Sequence, residues 1–184
     1  MQRIIISVVL VLLTGLYCAQ LAAEDQAVKQ ALRSGYQLAA GDLIRVHVFG
    51  EEELSTEVRL TDAGTFSYPF LGEVNAQGMT ISRLQELLTA GLKGDFLVDP
   101  EVTVSIVEYR NFFVNGEVEQ PGGYPFQPGL TIRKAIALAG GFTERASRKK
   151  VLVIHDSGPT DEVVSGLSET VLPGDIITVD DSFF

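Results

Sequence analysis

The chain has no tryptophan, two histidines and a single cysteine, at position 18. One thiol cannot close a disulfide within the chain. His47 and His155 lie far apart in sequence with no short ligand spacing around them, so no metal site is expected. Positive charge is scarce too: 14 Lys and Arg stand against 24 Asp and Glu, a formal net charge of −10. Such a surface repels phosphate backbones, which argues against nucleic acid as a partner and equally against anionic membrane surfaces. Catalytic signatures are missing as well. No GxSxG, P-loop or HExxH occurs, and nothing singles out two carboxylates for glycosidase chemistry. No catalytic residue and no cofactor is expected. Glu51-Glu52-Glu53 is read as a solvated run, because adjacent loop side chains diverge instead of converging on a cation.

Long apolar runs are confined to the first 23 residues. Arg3 followed by Ile4–Leu16 has the form of an export signal, a short positive region and then an apolar stretch. The stretch weakens at Tyr17, Cys18 and Gln20, short of the roughly 20 apolar residues that span a bilayer. Cleavage is expected between Ala23 and Glu24, which places the mature chain in the periplasm, with association with the outer membrane left open. Lipidation of Cys18 is the sharper alternative. Tyr17 argues against it, since lipoprotein signals carry a small residue before the cysteine.

Beyond a leader or short helix over 24–35, two stretches repeat one pattern: Gly41-Asp42 before Leu43–Val48, and Gly174-Asp175 before Ile176–Val179. Glycine can take the positive φ that ends a loop, and the aspartate can accept backbone N–H bonds, so each pair is a device for launching a strand. Period-two alternation predicts further strands: Glu57–Thr61 and Thr65–Tyr68 as a hairpin about Asp62-Ala63-Gly64, then Leu71–Val74, Val102–Ile106, Phe112–Val118, Val151–His155 and Glu162–Val164. Two helices are predicted to open alike, capped by Thr80 and Thr131, with Ile81, Leu84, Leu87, Leu88 and Leu92 on one face of the first. Ile132, Ala135, Ile136 and Ala139 do the same in the second, which stops at Gly140-Gly141. The fold class is α+β: two strand-rich units with one amphipathic helix each, meeting near Tyr109–Asn111.

In order along the chain, YQLAAGDLIRVHVFG (36–50), GTFSYPFLGEVNAQGMTISRLQELL (64–88), DPEVTVSI (99–106), NGEVEQPGGY (115–124), LTIRKAIALAGGFTERA (130–146) and PGDIITVDDSFF (173–184) resemble the bacterial outer-membrane polysaccharide export family. The resemblance implies an export domain over 36–109 and a soluble-ligand-binding β-grasp domain over 110–184. It further implies polysaccharide as the transported polymer, a homo-oligomeric ring and an inner-membrane co-polymerase as partner. Pore-forming members continue past the β-grasp unit, so a separate outer-membrane pore protein is also expected. The family's arginine at the end of the strand after the second helix is replaced by His155-Asp156. A monomeric or dimeric glycan-binding adaptor is the alternative reading.

Asn115, Gln120 and Tyr124 form a candidate glycan contact, set against the plainer reading that Gly116 permits a bulge and Pro121-Gly122 makes a tight turn. Arg148-Lys149-Lys150, the one basic cluster, is a candidate contact for an acidic partner or glycan, set against a solvated loop. Gly140-Gly141 is read as a C-cap, because the end of a helix presents the wrong pole of the dipole to an anion.

Overall fold

In chain order the elements are β1 (Leu43–Val48), a short 3-10 turn (Glu52–Leu54), β2 (Thr56–Arg59), β3 (Thr65–Tyr68), β4 (Gly72–Asn75) and helix α1 (Ile81–Leu92). There follow β5 (Val102–Glu108), β6 (Phe112–Gly116), β7 (Gly122–Tyr124), helix α2 (Ile132–Leu138), β8 (Ala146–Ile154), β9 (Val163–Val164) and β10 (Ile176–Asp181). The structure, a computed structural model, describes residues 35–156, 163–164 and 166–182. The mixture of small sheets and two helices is α+β.

Both Gly-Asp strands are interior strands of their sheets. The first sheet runs β2-β1-β5 with both pairings antiparallel. The second runs β7-β6-β10-β8-β9; there β10 lies parallel to β6 and antiparallel to β8. An interior strand satisfies its backbone on two sides at once, so where it starts sets the register of both neighbours.

The hairpin expected across 57–68 does not form. β2 pairs with β1, β3 pairs with β4, and a tight turn hands the chain from one to the other, with Thr61 N–H donating to Thr65 O at 2.9 Å and Gly64 N–H to Thr61 O at 2.8 Å. Alternation gives each strand's faces but not its neighbour. Connections through Glu52–Leu54 and through Pro69–Leu71 bring closer partners to β2 and β3. β7 was not anticipated. The reversal falls before Pro121, and Gly122, expected in a turn, opens β7 opposite Val114.

The helix boundaries follow the caps. Thr80 Oγ1 accepts from Arg83 N–H at 3.3 Å and Thr131 Oγ1 from Lys134 N–H at 3.5 Å, each relieving a donor left over at a helix start. α1 packs on β5 and buries Leu84, Leu88 and Leu92, with Ile81 and Leu87 half-buried. α2 buries Ile132, Ala135 and Ile136, and these join Phe112, Val114, Val153 and Ile177 in one core. Each of the larger of these side chains, Ile, Val, Leu or Phe, contributes roughly 1.5–3 kcal/mol by leaving water. Gly140 and Gly141, at φ 84° and 95°, end α2 as a left-handed C-cap, where Gly141 N–H reaches Ile136 O at 2.9 Å.

Gly116 is fixed by neighbouring backbone as well as by its φ. Gly116, at φ 80°, closes β6 opposite Val179, and a Cβ there would lie 2.1 Å from the Val179 carbonyl oxygen. Among the described residues no helix is long and apolar enough to cross a membrane. The expected cleavage site at Ala23 and Glu24, Cys18, and the side chains of Lys149 and Lys150 fall outside the described residues.

Candidate functional site

The two Gly-Asp turns are built bond for bond alike. Asp42 Oδ2 accepts from Ala39 N–H at 3.0 Å, and Asp175 Oδ2 accepts from Leu172 N–H at 2.7 Å, in both cases three residues upstream. Each aspartate's own N–H returns to the same residue's carbonyl, 3.2 Å in both turns. Gly41 and Gly174 sit at φ 88° and 89°, a region that favours glycine. Gly41 N–H reaches Leu60 O, and Gly174 N–H reaches Asn111 O. The repeated Gly-Asp is therefore one turn used twice, each time to start an interior strand.

Both aspartates are fully buried, and their remaining contacts differ: Asp42 turns to the segment joining β5 to β6, and Asp175 to the residue after β8. Asp42 Oδ1 accepts from Arg110 N–H at 2.8 Å, and Oδ2 lies 3.6 Å from Arg110 Nη1. Arg110 Nη2 then meets Asp156 Oδ2 at 3.0 Å. Asp175 Oδ1 is 2.9 Å from His155 Nδ1. Burial raises the Asp175 carboxyl above the ordinary carboxylate range. The bond from Leu172 N–H, the hydrogen bond and charge of His155 and the charge of Arg110 act against that rise. His155 thus lies on one aspartate, and Asp156 on the arginine that holds the other.

Arg110 is held close to both turns. A Cβ on Gly41 would meet Arg110 Cβ at 3.5 Å, and one on Gly174 would lie 2.7 Å from Arg110 Nε and 2.8 Å from Asp156 Cβ. The side chain is 12% exposed, and its outer edge opens into a cleft of about 490 Å³ lined also by Arg59, Gln77, Asn111 and Phe113.

Of the residues singled out in the sequence, Gly41, Asp42, Gly174 and Asp175 come together around Arg110. Gln120 and Tyr124 also meet, because the Tyr124 hydroxyl donates to Gln120 O while its ring packs 5.9 Å from Phe112. That contact ties β7 to the core. Asn115 is exposed on β6, and Arg148 stands over the Phe142 ring at 6.0 Å. Sequence reasoning missed Arg110, Asp156 and Asn111 as site residues. No local signal marks them: Arg110 stands two residues after β5, and Asp156 two residues after β8.

Residues 30–107 match the family profile described as polysaccharide biosynthesis/export protein, and residues 111–165 match that of the SLBB domain. The chain is also 33% identical over 135 residues to the exopolysaccharide production protein ExoF of Rhizobium meliloti (strain 1021). That match covers 67% of this chain and 32% of the relative's length. A polysaccharide biosynthesis/export domain followed by an SLBB domain makes this chain a member of the polysaccharide biosynthesis/export protein family.

Proposed function

We propose that the protein is a non-enzymatic component of extracellular or capsular polysaccharide export. It is exported by its leader and acts in the periplasm as a homo-oligomeric collar, between an inner-membrane co-polymerase and a separate outer-membrane pore. The observation that carries this reading is the succession of the two matched domains, in one compact body from Gln37 onward with Arg110 at their junction. The relative named for exopolysaccharide production supports the same polymer class. An acidic protein suits a conduit for acidic chains, since like charge keeps the polymer from adhering.

Native mass spectrometry of the purified protein, with and without detergent, tests the assembly. A collar gives a large integral multiple of 19.9 kDa, or of the correspondingly smaller mass after cleavage. A monomer or dimer in both conditions favours the adaptor reading instead. Edman sequencing of periplasmic material is expected to begin at Glu24, and a diacylglyceryl mass on Cys18 would place the protein on the outer membrane.

A further inference from the structure

The cleft beside Arg110 is not isolated. A second hollow of about 520 Å³, lined by Glu108, Tyr109, Pro125 and Phe126, shares Arg59 and Asn111 with it. We take the two hollows, which share these residues, together as one trough. Its cations are matched by acids. Arg59 donates from Nη1 to Gly41 O and from Nη2 to Glu108 Oε2, both at 2.6 Å, and Arg110 lies between Asp42 and Asp156. Asp62 adds a further negative charge to the wall. An anion entering this trough would meet carboxylates already opposite each guanidinium, so charge complementarity is against it.

The same groups suit uncharged hydroxyls. The side chains of Arg59, Glu108 and Asp156 are 52%, 61% and 50% exposed, so each ion pair keeps a wet edge with donors and acceptors side by side. Asn111 and Gln77 add amides that both donate and accept. The trough also has an aromatic rim. Phe113 is 46% exposed although it sits on an interior strand, and its ring lies over Gly123, where a Cβ would be 3.0 Å from Cε1. The negative face of such a ring attracts the weakly positive C–H edges of a pyranose. A largely preformed concavity with a few convergent polar groups and an aromatic wall is the usual form of a small-ligand site.

We infer that the trough along Arg59, Asn111 and Phe113 binds a short stretch of uncharged pyranose units of a glycan chain. This rests on the export reading above for the presence of such a chain, and it names a place on the protein where the chain touches. The test is titration of the isotope-labelled protein with cellotetraose, maltotetraose and tetragalacturonate, followed through backbone and side-chain amide shifts. One or both neutral oligosaccharides should shift the signals of Asn111, Phe113, Gly123 and Gln77. Tetragalacturonate should bind more weakly. Asn111→Ala and Phe113→Ala should each weaken binding about fivefold or more, while the rest of the spectrum reports an intact fold. Absence of shifts with both neutral sugars, shifts that map elsewhere, tighter binding of tetragalacturonate, or unchanged affinity in both variants would overturn the inference. Export measured in cells carrying the same variants is a separate readout: loss of binding sites alone leaves the family reading standing, and loss of export in a deletion strain does not by itself support the trough.

Discussion

Arg110 holds Asp42 twice, through its backbone N–H at 2.8 Å and its guanidinium at 3.6 Å, and so ties the start of β1 to the segment that leads into β6. Asp42 is fully buried, and a buried carboxylate that loses its cation keeps the cost of desolvation without the compensation. Arg110→Ala is therefore expected to lower stability by about 3–5 kcal/mol in urea unfolding. Asp156→Ala, which removes a half-exposed partner of the same arginine, is expected to cost no more than about 1 kcal/mol. Equal losses in the two variants would mean that Arg110 serves the cleft and not the buried turn.

Asp175 makes a prediction in pH. Its carboxyl is raised by burial, so the folded state holds this proton more tightly than the unfolded chain does. The resulting contribution is fully present below the unfolded carboxylate pKa and is lost as pH rises through the higher folded value. Asp175→Asn should remove that decline, so the stability of the variant relative to wild type should improve as pH rises through that window. A difference between the two proteins that stays flat across the window would contradict the assignment.

The caps are testable singly. Thr80→Ala and Thr131→Ala should each cost about 0.5–2 kcal/mol. Thr80, with the shorter bond and the longer helix, should show the larger effect in thermal unfolding.

Gly116→Ala sets a side chain against backbone. The new Cβ would fall 2.1 Å from Val179 O at a φ of 80°, and neither strand can withdraw without losing the parallel pairing of β6 with β10. A loss of about 2 kcal/mol or more is expected from strain and overpacking together. Gly129→Ala is the reference: it also has positive φ, 82°, but nothing lies near the added Cβ, so it should cost less.

Much of the fold was legible because local rules agreed with the tertiary result. Alternation in Ile44, Val46 and Val48, threonine caps, and glycines after Ala139 act over a few residues, and those elements stand where they were read. Pairing was not legible. The partners of β2 and β3 depend on which edge the intervening turns bring close, and the parallel match of Ile176 to Phe113 spans the whole second unit. At the candidate site, Asp42 and Asp175 could be read from the repeated motif. Arg110 and Asp156 could not, since each follows its strand as an ordinary charged residue and their meeting at 3.0 Å is produced by the fold. In the sequence Tyr124 stands between two readings, a glycan contact and plain turn chemistry; in the fold its hydroxyl donates to Gln120 O and its ring packs near Phe112.

A planar bilayer separates collar from pore. If the polymer crosses the outer membrane through another protein, the purified chain alone should give no conductance. Steady channels from pure protein would assign the pore to this chain.

The central claim, participation in polysaccharide export, is tested most directly by deleting the coding sequence and measuring polymer inside and outside the cell. The account predicts that extracellular polysaccharide falls to background, while lipid-linked precursor or periplasmic polymer persists, and that the wild-type protein restores secretion. Undiminished extracellular polysaccharide in the deletion strain would contradict it.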